Sequence, residues 1–424
     1  MKRLPYWRDT APVFAHGAAL PDGEQFDVAV VGGGFTGLSA ARGLAKDGAR
    51  VVVLEANWVG FGGSGRNGGH LNNGLAHSYL DAVNRFGPQT AKALYEAFDR
   101  SISTIERIVN EDRIACDFRR SGKLKLASKP AHFEAIAKNF RAVNEAVDKD
   151  TELLGPDELD SEVRGPFHGA MLYKKSAMMH MGRFVSGLAQ AAHDRGAFIV
   201  ENAPVTARRR DGASHVLHTK AGTIKAREVI LATGAYTSGP FNFFRRRVIP
   251  VGSFVIATRP LNEAEIQATL PGNRTCVTSL NLGNYFRLSP DNRLIFGGRA
   301  RFTAKTDTDA DERSAAILKA AMIDLFPTLS DVAVDYCWGG LVGMTSDRFP
   351  RAGSTDGVHF ALGYSGHGAQ LSVLMGELLA QIVSGKSDDN PFEGLAWPAV
   401  PGYFGKPWFL PAVGAYYRLK DRLG

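Results

Sequence analysis

Phe26-Asp27-Val28-Ala29-Val30-Val31-Gly32-Gly33-Gly34-Phe35-Thr36-Gly37 is the stretch on which the fold turns. Its first six residues are β-rich and almost wholly apolar, the pattern of a strand buried on both faces of a parallel sheet. After the glycine cluster, Thr36 to Lys46 is rich in Ala and Leu at helical spacing and stops at Asp47-Gly48. A second apolar run, Arg50-Val51-Val52-Val53-Leu54, ends on Glu55. Strand, glycine turn, helix and strand over about 30 residues make a βαβ unit.

Within that unit Gly32, Gly34 and Gly37 satisfy G-x-G-x-x-G, with Phe35 and Thr36 opening the helix. Gly32 permits the tight turn, Gly34 lets the backbone approach a pyrophosphate, and Gly37 lets the helix pack on the strand. The helix N-terminus presents N–H groups and a positive dipole end to phosphate. Glu55, 23 residues beyond Gly32, is placed to accept hydrogen bonds from a ribose diol and would repel a 2′-phosphate. An adenine dinucleotide is therefore expected, and the next segment selects FAD over NAD. Gly60-Phe61-Gly62-Gly63-Ser64-Gly65-Arg66-Asn67-Gly68-Gly69-His70 carries so little side chain that its backbone is expected against a flat ligand. Arg66 and Asn67 are its polar exceptions, suited to diphosphate and ring contacts. Leu231-Ala232-Thr233-Gly234 ends another strand with small residues, a second approach for the cofactor.

Farther out, helical spacing marks 88–113, 131–149 and Phe184–His193, the last leading into a strand at Ala197–Val200. Residues 216–232 read as a hairpin followed by the strand 228–232, and 251–300 as alternating strands and turns. Val358–Leu362 is a strand, and 368–384 a helix. The tail 391–424 holds five prolines and many aromatics, then a short helix to Gly424. A β-rich middle flanked by βα segments predicts two interleaved domains.

Composition excludes several classes. At 424 residues the chain is too long for one simple core, and 47 glycines exceed ordinary usage. No run of 18 apolar residues exists, and the N-terminus lacks the apolar stretch of a secretory signal. Cys116, Cys276 and Cys337 are odd in number and far apart, which speaks for a reducing cytoplasm rather than a disulfide framework. The net charge of +7 includes two basic triplets, 208–210 and 245–247, but acids and bases alternate along most of the chain. Nucleic acid is therefore not an expected partner. Gly62-Gly63-Ser64-Gly65-Arg66 and Gly363-Tyr364-Ser365-Gly366-His367 lack the final glycine of a nucleophile elbow. Gly385-Lys386-Ser387 has Ala380 where a phosphate loop needs glycine, and no H-E-x-x-H or C-x-x-C motif suggests a metal.

Taken with Gly65-Arg66-Asn67-Gly68-Gly69, Ala232-Thr233-Gly234, Tyr285-Phe286-Arg287-Leu288, Tyr364-Ser365-Gly366-His367-Gly368 and the tail from Gly414 to Gly424, the fingerprint resembles the D-amino-acid oxidase superfamily of FAD enzymes, within it the gamma-glutamylputrescine oxidoreductases of polyamine catabolism. The resemblance covers nearly the whole chain. It implies an α/β fold, α+β overall: a Rossmann-like FAD-binding domain (1–78, 157–240 and 337–393) interleaved with a substrate domain on an antiparallel sheet (79–156 and 241–336), then the tail 394–424. It implies hydride removal from the carbon beside an amine nitrogen, the imine product then hydrolysing, with FAD held non-covalently. Partners are a small amine and oxygen or another electron acceptor; an amino- or imino-acid oxidase is the alternative, and a flavin-binding protein without catalysis a third reading.

Expected cofactor contacts are Gly32, Gly34, Phe35, Thr36, Gly37, Glu55, Ala56, Gly65, Arg66, Asn67, Gly68, Gly69, Val205, Thr233, Gly234, Gly366, His367 and Gly368. Expected catalytic residues are His367, Arg287, Tyr285 and His70; expected substrate contacts are Gln370, Trp338 and Met344. Gln370 stands where sarcosine oxidases carry a lysine for the substrate carboxylate, and Arg287 where they carry a lysine that promotes reaction with oxygen. Arg348 is expected either to pair with Asp347 or to touch the cofactor.

Overall fold

A computed structural model describes residues 1–298, 304 and 308–423. The opening stretch becomes the strand Gln25–Val31 and the helix Phe35–Lys46. The strand is buried on both faces because it is central. Val51–Leu54 pairs with it in parallel on one side and Gly222–Leu231 on the other. Phe198–Val200 extends one flank in parallel, Val358–Leu362 the other, and antiparallel Arg351–Thr355 closes that edge. The expected hairpin and the strand after it share one element: 222–226 pairs antiparallel with Ser214–Thr219 while 225–231 pairs parallel with Gln25–Val31. Helix Gly368–Val383 lies on Phe35–Lys46 at close range, since a Cβ at Gly376 would sit 2.4 Å from the Thr36 carbonyl oxygen.

The second sheet runs in the order Val334–Met344, Ile249–Pro260, Arg293–Gly298, Asn284–Leu288, Thr275–Thr278, Lys123–Leu126, Ala170–Tyr173, Thr151–Leu154. Only the Thr275–Thr278/Lys123–Leu126 pair is parallel. One face packs Leu124, Leu126, Cys276, Phe286 and Phe296 against Leu318, Met322 and Phe326, which lie on or just beyond the helix Thr308–Leu325. That helix has no counterpart among the expectations. Sheet membership also departs from the expected boundaries: Ala170–Tyr173 lies in this sheet, and the cut at 337 falls inside a continuous strand that pairs with Ile249–Pro260 from Val334 to Met344. Residues 299–300 of the expected alternation, and Gly424, lie outside the described residues.

Candidate active site

Between the parallel sheet and the other face of the antiparallel sheet lies a cavity of about 600 Å³. Its first wall is the fingerprint. Gly32 has φ +113°, and a Cβ there would stand 2.7 Å from the Ala232 carbonyl oxygen. Gly37 does not reach the cavity; it lets helix meet strand, for its Cβ would fall 1.9 Å from the Gly32 oxygen. Glu55 is buried at the strand end. One carboxylate oxygen accepts from the Gly33 N–H at 2.7 Å and the other from Asn57 N–H at 2.9 Å. Burial raises its pKa, and the two N–H donors oppose that rise. Ser64, not anticipated from sequence, accepts the Phe35 N–H at 2.9 Å and so covers part of the helix N-terminus. Gly34, Phe35, Thr36, Ala56, Val205, Thr233 and Gly234 all line the cavity.

The glycine-rich loop divides its work. Gly62, Gly63 and Gly68 border the cavity, whereas Gly65 and Gly69 do not. A Cβ at Gly65 would meet the Gly60 oxygen at 2.4 Å, and one at Gly69 the Arg287 guanidinium carbon at 2.8 Å. Those two glycines serve protein-on-protein packing rather than ligand approach. Arg66 and Asn67 line the cavity and also brace the loop. Arg66 donates from Nε to the Phe61 carbonyl at 2.7 Å and from Nη1 to Gly339 at 3.0 Å; Asn67 donates to the Ser64 carbonyl at 2.9 Å.

At the other end, Gly366, His367 and Gly368 enter the Gly368–Val383 helix and line the cavity. His367 Nδ1 is buried without a hydrogen-bond partner. Burial, reinforced by Lys123 and Lys125, pushes the His367 pKa down to about 3, so the ring is neutral. Gln370 is buried, and its amide donates to the Asn72 carbonyl at 2.5 Å. His70 is neutral too, pushed down to about 3 by burial, with Nδ1 3.1 Å from the Gly68 oxygen. Tyr285 crosses edge-on to His70 at 5.3 Å, and its hydroxyl lies 3.2 Å from Ser253 Oγ.

Three of the expected catalytic and substrate residues also lie off the cavity wall. Arg287 is enclosed behind Gly69, donating to the Met179 carbonyl at 3.0 Å and sitting 5.2 Å over the Trp7 ring. Trp338 is buried behind the loop, its indole N–H on the Arg66 carbonyl at 2.9 Å. Met344 ends its strand beyond Gly340–Gly343, whose small residues form the wall there. Asp347 takes Arg351 at 2.5 Å and Arg85 at 3.4 Å as partners, which leaves Arg348 turned to the cavity at φ +62°.

Among the wall residues that the sequence reading missed, Lys125 carries a charge. Alternation along Lys123-Leu124-Lys125-Leu126 puts the leucines into the core and the lysines on the opposite face. Tyr285, Val277 and Lys125 are register partners across three strands, and all three line the cavity. The alternation was visible in the sequence; its enclosure was not. Among the described residues no cysteine lines the cavity and no cluster of His, Cys, Asp or Glu suits a metal. No described helix is long and apolar enough to cross a membrane.

FAD fits this arrangement. Cavity-lining Gly234 and Gly366 have φ +54° and +100°, and a Cβ at either would meet no protein atom within 4 Å. A paired carboxylate at one end and an unpartnered ring nitrogen beside a helix N-terminus at the other match a dinucleotide bearing a polar ring system. The comparisons agree. The chain is 33% identical to gamma-glutamylputrescine oxidoreductase of Escherichia coli, over 99% of this chain and 98% of that one. It is equally similar, at 33%, to a probable oxidoreductase OrdL of Haemophilus influenzae, covering 89% and 88% of the two chains. Glycine oxidase from Geobacillus kaustophilus superposes with a TM-score of 0.77 at 24% identity, covering 89% of this chain and all of that one, which speaks for the fold. The family model described as FAD dependent oxidoreductase spans residues 27–382, from the first strand to the helix that follows His367, so the chain belongs to the DAO family of FAD-dependent oxidoreductases.

Proposed function

We propose that this enzyme oxidises an elongated amine of the gamma-glutamylputrescine type at the carbon beside the amine nitrogen. The observation that carries the reading is its near end-to-end similarity to the Escherichia coli gamma-glutamylputrescine oxidoreductase. Bound FAD supplies the two-electron acceptor for a hydride. The nitrogen lone pair replaces the electrons lost from carbon, and the resulting iminium takes up water and hydrolyses to a carbonyl compound and a released amine.

The chain's residues favour the free-base amine that this step needs. His367 is neutral, and among the described residues the one carboxylate lining the cavity is Glu55 at the ribose end, so the reacting end offers a protonated amine no counter-charge. His367, with the helix N-terminus behind it, would hold the polar edge of the cofactor, and Glu55 its ribose. Tyr285 and Gln370 bound the substrate's side. FAD held without a covalent bond belongs to the same proposal.

Anaerobic mixing of the purified holoenzyme with gamma-glutamylputrescine, sarcosine and L-pipecolate tests the substrate. Bleaching of the flavin absorbance by gamma-glutamylputrescine is expected. Bleaching by sarcosine or pipecolate alone would replace the assignment with the imino-acid reading, for which Gln370, its amide hydrogen-bonded to the Asn72 carbonyl, offers no cation. Peroxide formed on readmitting oxygen identifies the acceptor.

A further inference from the structure

We infer that Lys125 and Arg348 form an anion subsite that receives a carboxylate of the substrate remote from the reacting carbon, with the C-terminal helix Leu410–Leu423 setting its shape. The inference deepens the amine reading above and rests on it for the identity of the anion's carrier.

Lys125 stands on the antiparallel-sheet wall, half-buried, and its ammonium donates to the Thr278 carbonyl at 3.2 Å. No salt bridge to it occurs among the described residues, and the one carboxylate lining the cavity there is Glu55, at the end of a strand in the other sheet. Arg348 also has no carboxylate among its described partners, because Asp347 is taken by Arg351 and Arg85. Among the described residues, two cations thus face the same cavity with no carboxylate paired to either, an arrangement that a bound anion completes.

Arg348 is held at its left-handed backbone conformation while its guanidinium donates to the Tyr417 hydroxyl at 3.2 Å and lies 5.7 Å over that ring. Four residues on, Asp421 accepts from Asn281 N–H at 2.9 Å, Asn281 Nδ2 at 2.7 Å and Leu282 N–H at 2.8 Å. Leu280 and Asn281 line the same cavity. One turn of the C-terminal helix therefore fixes both a cation of the subsite and the loop beside it. Tyr417 and Asp421 are positioning residues.

The test titrates FAD-loaded protein with glutarate and with neutral glutaramide, reading the flavin difference spectrum, in wild type, Lys125→Met, Lys125→Gln and Tyr417→Phe. In wild type, glutarate is expected to bind at least about tenfold more tightly than glutaramide. Both Lys125 variants should lose that preference while glutaramide binding holds, and Tyr417→Phe should weaken glutarate severalfold. Flavin content and melting temperature identify a misfolded variant, and the two Lys125 substitutions back each other. Absence of a saturable glutarate signal in wild type overturns the subsite. So does a Lys125 variant that keeps the glutarate preference, or one that weakens both probes equally. Turnover is not needed, so a Lys125-dependent glutarate signal alongside a failure of every amine to bleach would sink the amine reading and leave the subsite standing.

Discussion

Replacing Glu55 by Gln separates two roles that the structure gives one side chain. In the folded protein the carboxylate takes one N–H on each oxygen, from Gly33 and from Asn57. An amide of the same shape has one acceptor oxygen, so one of those N–H groups would face an NH2. Leaving a buried donor unsatisfied costs about 1–3 kcal/mol. That penalty falls on free and FAD-bound protein alike, and lowers the melting temperature of both. The second loss exists only with the dinucleotide present: a charged acceptor for the ribose hydroxyls, a bond of about 1.5–3 kcal/mol. At about 1.4 kcal/mol per tenfold, the FAD dissociation constant should rise roughly 10- to 150-fold. The assay is fluorescence titration of apoprotein with FAD, beside thermal melts of the same samples. FMN, which lacks the adenosine ribose, serves as control and should bind both proteins alike. A melting temperature that falls while FAD affinity stays within about twofold would refute the ribose role and leave Glu55 a purely structural brace of the Gly33 turn.

Other perturbations read other parts of the site. Gly37→Ala places a methyl carbon 1.9 Å from the Gly32 oxygen; overpacking of about 3 kcal/mol should strip FAD, measured as the flavin-to-protein ratio after gel filtration. Arg287→Met should leave the anaerobic bleaching rate within about twofold, because the guanidinium is enclosed behind Gly69; a loss of about tenfold or more would return Arg287 to the chemistry. Glutarate binding should weaken as pH rises through about 8, where burial and Arg348 place the Lys125 pKa. Lysine is charged below that value and neutral above it, so the limiting loss is about tenfold per pH unit. The other groups around it, Arg348, Lys123 and the neutral His367, do not reverse that sign. Acid precipitation should release the flavin into the supernatant; yellow colour remaining with the pellet would show a covalent bond.

The first wall of the site was legible because its logic is local. Gly32, Gly34, Gly37 and Glu55 belong to one βαβ unit and keep a fixed spacing there, although only Gly37 answers to a near neighbour, while Gly32 meets Ala232 and Gly34 meets Ser64. Even there the reason for a glycine could be misread. Gly65 and Gly69 were expected against the ligand, but their missing side chains make room for the Gly60 carbonyl and the Arg287 guanidinium. Sequence shows that a side chain is excluded, not what excludes it.

The second wall depends on a register between strands far apart in the chain, Lys125 beside Val277, with Tyr285 on the neighbouring strand. Alternating lysine and leucine is the ordinary mark of a sheet with one face in water. Here the lysine face is roofed by the dinucleotide-binding half of the molecule, which converts a commonplace pattern into two enclosed ammonium groups. Asp347-Arg348 poses the same difficulty in miniature. Adjacent opposite charges invite pairing, yet a left-handed backbone at Arg348 turns its side chain toward Tyr417 while Asp347 finds Arg351. The cofactor was therefore readable from neighbours along the chain, and the chemistry of the substrate's anionic end only from neighbours in space.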